Sequence, residues 1–169
     1  MHTITAAKNG KEQKNMTSPN PYNFKNTPLS KSIAENIAKD FKIECEIFCD
    51  TCHVIKSNYS KITITGQGSD AADFKLINSC KSGDIVITQD YGVASMALGK
   101  KCHVIHQSGK WFTSDNIDGL LSMRHISRKL RQSKSRNHLK GPKKRTTEDD
   151  ENFRSSLIKL IESVIKEKG

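Results

Sequence analysis

The chain has 169 residues, 34% of them apolar, with a mean hydropathy of −0.62 and a formal net charge of +10. That length suits one domain with a real core, and the low apolar content places part of the chain outside it. No stretch approaches the ~18 consecutive apolar residues of a membrane span, and the N-terminus MHTITAAKNGKEQKN lacks an apolar signal core. No membrane partner is therefore expected, the location is expected to be cytoplasmic, and the five cysteines are expected to be reduced thiols.

Residues 1–21 read as a polar leader without regular structure: Pro19 and Pro21 argue against a central strand, and nothing before Met16 carries a periodic signal. A single domain is expected over residues 22–167. Thr27-Pro28 supplies an N-cap and a first helical position, and Leu29, Ile33, Ile37 and Phe41 follow as an apolar stripe. Ile43, Cys45, Ile47 and Cys49 then alternate with Glu44, Glu46 and Phe48, which predicts a strand ending at Asp50. Lys61–Thr65 predicts a second strand. Asp70 can cap a predicted helix with Ala71, Phe74, Ile77 and Leu76 inward, running to Cys80.

Ile85–Thr88 is too short for a helix and right for a buried strand. Asp90 follows it at once, and the next predicted helix stops near Gly99. Cys102–His106 predicts a strand, and Gln107–Lys110 a turn. Ser114-Asp115-Asn116 opens a helix whose apolar residues are Ile117, Leu120, Leu121, Ile126 and Leu130. The last helix begins at Thr146 or Thr147, with four acids on the positive end of its dipole and Phe153, Leu157, Leu160, Ile161 and Val164 as its core face. Strands alternating with helices predict an α/β fold with a mostly parallel central sheet.

The charge is unevenly placed. From Gly119 to Thr147 there are ten Lys or Arg and no acid, whereas the rest of the chain holds 18 basic and 18 acidic residues. One segment carries the whole excess, the electrostatic footprint of a phosphate-polymer ligand. The alternative is a solvated helix face, although such faces usually mix both signs. Arg124, Arg128 and Arg131 fall at i, i+4 and i+7, on one helix face, while Lys140, Lys143, Lys144 and Arg145 flank Gly141-Pro142 in a predicted loop. No aromatic platform accompanies them, so contact with the phosphate backbone is expected rather than base reading.

The acids form a second pattern. Asp50 ends a strand, Asp70 and Asp73 open a helix one turn apart, and Asp90 follows a buried strand. In open α/β sheets, ligands gather outside the carboxyl ends of the strands. Carboxylates converging there would repel, and Mg²⁺ or Mn²⁺ would relieve the repulsion and activate water against a phosphodiester. The competing reading is that each acid is a local cap or surface group, and for Asp90 alone the N-cap is the stronger reading. Cys49-Asp-Thr-Cys52-His53 matches the C-x-x-C-H haem-attachment pattern, but haem attachment would require export. No haem is expected, and the thiols read as small apolar side chains.

GSDAAD, GDIVITQDYGVASMALGK, GKWFTSDNIDGLL and KGPKKRTTEDDENF, taken in order between Pro28 and Ile161, resemble the bacterial YaiI/YqxD family. That family is a domain of unknown function with a PIN-like, three-layer α/β fold. PIN domains are typically Mg²⁺- or Mn²⁺-dependent ribonucleases with clustered acids at the strand ends. The resemblance implies that Asp90, Asp70 and Asp73 stand at the family's acid positions, as catalytic and metal-holding residues. The family's opening V-D-A-D-A-C-P is replaced here by Tyr22-Asn-Phe-Lys-Asn-Thr-Pro28, with Asn23 and Lys25 where two acids belong. Two functions follow as expectations. One is a metal-dependent nuclease acting on RNA; the other is a catalytically degenerate nucleic-acid-binding module on the same fold.

Overall fold

The computed structural model describes residues 3–8, 29–50, 56–66, 70–132 and 145–168. In chain order the elements are β1 (Thr3–Lys8), α1 (Leu29–Asp40), β2 (Glu44–Asp50), β3 (Lys61–Thr65), α2 (Ala71–Ser79) and β4 (Ile85–Ile87). They continue with α3 (Tyr91–Gly99), β5 (His103–Ile105), β6 (Trp111–Phe112), α4 (Ser114–Gln132) and α5 (Thr147–Lys168). The six strands form one sheet in the order β3-β2-β1-β4-β5-β6. β2 pairs parallel with β3 and β4 parallel with β5, while β1 runs antiparallel to both of its neighbours and β6 antiparallel to β5. Four strands thus share one direction, and their carboxyl ends share one edge.

Strand pleating divides the core. Ile85 and Ile87 of β4 and Ile105 of β5 join Ile33, Ala34 and Ile37 of α1 and Phe153, Leu157, Leu160, Ile161 and Val164 of α5. Val86, Val104 and Phe48 join Leu76 and Ile77 of α2, Val93, Ala94 and Ala97 of α3 and Ile117 of α4. The alternation along a strand sends successive side chains to opposite faces, and the result is a three-layer α/β domain. β4 lies inside the sheet with all three residues buried, as its unbroken apolar run predicts. Burying a side chain such as Phe153, fully enclosed here, stabilises the fold by roughly 1.5–3 kcal/mol.

Three expectations are corrected. Thr3–Lys8 lies within the predicted leader and ahead of Met16, yet it occupies the middle of the sheet, with Ile4 opposite both Ile47 and Ile87. Its TITAAK sequence is short and weakly apolar, so the ordering comes from two neighbouring strands that supply backbone partners on both sides. Phe74, expected inward, is 59% exposed, and so is Ile126, at 56%. The core face of α2 holds the expected Ile77 and Leu76 together with Ala72, while Ala71 is only half-buried.

The link into β3 is tied down by polar groups. Lys31, only 1% exposed, donates its ammonium to the Lys56 carbonyl at 2.7 Å, and Nζ lies 3.6 Å from Glu35 Oε1. The same Glu35 oxygen accepts from the hydroxyls of Ser57 and Ser60. A buried ammonium without partners would be costly, and here it has both a carbonyl and a carboxylate.

Candidate functional site

The site is built where β4 hands over to α3. Thr88, 1% exposed, closes the strand with its N–H on the Ile105 carbonyl at 3.1 Å, and its Oγ1 accepts the Asp90 N–H at 3.0 Å. That hydroxyl sets Asp90 in extended backbone (φ −87°, ψ 119°) immediately before the first turn of α3. Oδ1 of Asp90 then accepts the N–H groups of Gly92 at 2.7 Å and Val93 at 3.2 Å. Gly92 is suited to the approach, since a Cβ there would meet Oδ1 at 3.0 Å. Asp90 is therefore an N-cap in full geometry.

Its other oxygen faces a cation. Arg124 of α4 places Nη1 3.2 Å from Asp90 Oδ2, and its guanidinium carbon lies 5.5 Å from the centre of the Tyr91 ring. Tyr91 in turn meets Phe112 edge-on at 5.6 Å, and Phe112 meets His106 edge-on at 6.0 Å. His106 accepts the Ser108 N–H at Nδ1 over 3.1 Å, so its second nitrogen carries the proton in the neutral ring. Burial lowers the His106 pKa first, and the positive charges of Arg145 and Lys110 lower it further. Gln89 and Gln107 join their side-chain amides across the same edge.

Arg145 fastens the far end of the basic segment here. It binds the Asp150 carboxylate, donates to the Gln107 carbonyl at 2.7 Å, and lies 5.6 Å from the Phe153 ring centre. It thus has three intramolecular partners beside the sheet edge. Arg128 of α4 is exposed; Arg131 lies in the last turn of α4, where the backbone alone is described. Lys140, Lys143 and Lys144 lie outside the described residues, as do Asn23, Lys25, Cys52 and His53. Cys49 is buried in β2, 1% exposed.

The acids reach one edge of the sheet. Asp50 is the last residue of β2, Asp70 and Asp73 stand at the start of α2, and Asp90 follows β4, all on the edge where the parallel strands end. Asp70 is exposed and occupies the N-cap position of α2 without a side-chain cap hydrogen bond. Asp73 is half-buried in the first turn. Among the described residues no group of three or more His, Cys, Asp or Glu comes together in a way that could hold a metal ion. Of these acids, Asp90 has given one oxygen to two backbone N–H groups and the other to a guanidinium, which leaves it little free oxygen for Mg²⁺ or Mn²⁺.

Beside Asp90 the edge carries two arginines, Arg124 and Arg145, and a histidine whose pKa is held low. Arg124 keeps 44% of its side chain exposed while stacked on Tyr91, so part of its donor fork still faces solvent. The sequence reading did not single out Tyr91 or His106. Tyr91 directly follows Asp90, and His106 ends a predicted strand at the same sheet edge as Asp90; those positions were the available signals. Among the described residues no helix is long and apolar enough to cross a membrane.

Comparison with known proteins agrees with this reading of the chain's ancestry. The family model described as "Uncharacterized BCR, YaiI/YqxD family" matches residues 26–163. A UPF0178 protein of Clostridium acetobutylicum is 55% identical over 130 residues, covering 77% of this chain and 88% of that protein. UPF0178 proteins of Lachnoclostridium phytofermentans and Natranaerobius thermophilus are 50% and 44% identical, over 79% and 78% of this chain and 91% and 88% of their own lengths. No solved structure matches the chain significantly. The chain belongs to the YaiI/YqxD family.

Proposed function

We propose that this protein binds nucleic acid, RNA foremost, along the phosphate backbone and does not cleave it. The observation that carries the proposal is the charge segregation: ten basic residues and no acid between Gly119 and Thr147, on a chain that is otherwise neutral. Two described features support a binding surface. Arg128 is exposed on α4, and Arg124 keeps 44% of its side chain in solvent beside the open carboxyl edge of the sheet. Lys140, Lys143 and Lys144 would extend that surface, whereas Arg145, held by Asp150 and Gln107, would anchor it. The RNA preference rests on the resemblance to PIN domains. The absence of cleavage rests on Asp90, whose two oxygens are both engaged.

The test is fluorescence anisotropy with mixed-sequence single-stranded RNA over a range of salt. Binding should fall steeply with salt, and the triple change Arg128→Ala, Lys143→Ala, Lys144→Ala should flatten the log–log slope by about 2 units if all three contact phosphates, at ~0.7 per contact on a single strand. Loss of the RNA without any salt dependence, or an unchanged slope, would overturn the proposal. The nuclease reading keeps one support, the shared edge of Asp50, Asp70, Asp73 and Asp90. Mn²⁺-dependent cleavage of end-labelled RNA by the full chain, abolished in Asp90→Asn, would replace binding alone with catalysis.

A further inference from the structure

We propose that α4 pairs, antiparallel, with α4 of a second copy of this chain, through a seam made by Gly119, Met123 and Ile126. The helix has two faces with different fates. Ile117, Leu120 and Leu121 turn toward the body, where Ile117 is 5% exposed and the two leucines pack against the core around α3. At 100° per residue, positions 119, 123 and 126 lie together on a stripe well over a quarter-turn away from that face. Met123 and Ile126 on this stripe are 66% and 56% exposed. Their 4-then-3 spacing is that of a helix-pair seam, and position 130, a leucine, continues it. At Gly119 a Cβ would meet nothing within 4 Å, so open space and a missing side chain both admit a close partner backbone there.

The charges beside the seam select the partner and its direction. The flank next to the apolar stripe reads Asp115, Asp118, Ser122, His125, Lys129, and all five are exposed. It is acidic at one end and basic at the other. Laid antiparallel, two copies set Asp115 and Asp118 of each against His125 and Lys129 of the other, an isologous pairing that closes on itself. Laid parallel, this flank would instead face the opposite flank of the partner, where Leu120 and Ser127 offer no opposite charge. The antiparallel arrangement also holds the two Lys129 groups roughly 20 Å apart at 1.5 Å rise per residue, about twice the screening length of physiological salt. The large positive excess of the segment therefore does not oppose the pair. Nucleic acid would have no use for an apolar stripe on the face turned away from Arg124 and Arg128, so this surface is separate from the phosphate-binding one.

Sedimentation velocity of the full chain across a dilution series from micromolar to hundreds of micromolar reads the outcome. The wild type should pass from monomer to dimer, and Met123→Glu with Ile126→Glu should hold it monomeric with an unchanged melting curve, because both side chains are exposed in the monomer. Asp115→Lys with Asp118→Lys, and separately His125→Glu with Lys129→Glu, should each weaken the dimer about tenfold or more. Mixed in equal amounts the two charge variants should associate with each other. A wild type that stays monomeric at every concentration, or a dimer indifferent to the Met123 and Ile126 changes, overturns the proposal. A dimer lost with those changes but unmoved by charge reversal overturns the antiparallel pairing.

Discussion

Arg124 Nη1 stands 3.2 Å from Asp90 Oδ2 while Asp90 Oδ1 caps α3, so one carboxylate closes a helix end and ties a second helix to it. The two duties separate by mutation. Asn accepts the cap hydrogen bonds but carries no charge, so Asp90→Asn should cost under about 1 kcal/mol, because the ion pair is 44% and 25% exposed and screened by solvent. Asp90→Ala loses the cap as well and should cost about 1–2 kcal/mol. Urea unfolding compares them. Equal losses in the two variants would show that charge, not capping, holds this corner.

A second prediction concerns the turn that docks on α5. Gly109 has φ +86°, and a Cβ built there would lie 2.8 Å from the Asn152 carbonyl oxygen and 3.1 Å from its carbon. Both the left-handed backbone and the backbone clash penalise a side chain, so Gly109→Ala should destabilise by about 2–3 kcal/mol. Ser156 links the same surfaces, donating to the Gly109 carbonyl at 2.6 Å and accepting from Trp111 Nε1 at 2.7 Å. Ser156→Ala leaves the backbone unstrained and should cost only about 1–2 kcal/mol. Melting curves that rank the two the other way would contradict the close packing of the turn on α5.

The histidine at the sheet edge predicts a pH dependence. Burial, then Arg145, then Lys110, hold the His106 pKa below its ordinary value of 6.5. Above that value the ring is neutral in both folded and unfolded chains, and it contributes nothing to the slope. As pH falls below about 6.5 the unfolded chain takes up a proton that the folded chain refuses, so stability falls until the folded ring also titrates. His106→Gln should flatten the stability profile between about pH 6.5 and 5, where most carboxylates remain ionised. Chemical denaturation at several pH values checks it; parallel profiles would mean that His106 titrates normally.

Much of this architecture was legible in the sequence, for identifiable reasons. The four-residue recurrence from Leu29 to Ile37 and the run of Phe153, Leu157, Leu160 and Ile161 describe helices that bury one stripe, and α1 and α5 do so. The strand at Ile85 was legible because a strand buried on both faces reads as an unbroken apolar run and needs no alternation. Asp90 was legible as a cap, since a short acid between strand and helix has few other local uses. The strand at Thr3 was not, because TITAAK has little pattern of its own and its place is decided by β2 and β4, which are remote in sequence. β6 was missed because two residues, Trp111 and Phe112, are too few to show a period. The exposure of Ile126 was missed for a different reason. Periodicity predicts a stripe, but not where the body beneath the helix ends.

The last prediction concerns the thiols. Cys45, Cys49, Cys80 and Cys102 are buried thiols, and Cys80 and Cys102 donate to the carbonyls of Ile77 and Lys81, each at 3.2 Å. Burial pushes the Cys102 pKa up to about 12, helped by Cys80 and Asp84 and opposed by Lys100. Only the thiolate attacks a disulfide reagent, and at pH 8 a thiol with that pKa is ionised about once in ten thousand. With Cys52→Ser removing the one cysteine outside the described residues, labelling by a thiol-reactive disulfide should run at the rate of unfolding and accelerate sharply in urea. Above pH 9 the unfolded Cys102 ionises while the folded one does not, so stability should also decline from about pH 9 toward 12. A thiol that reacts quickly in the native Cys52→Ser protein would show that one of the four buried positions opens without global unfolding.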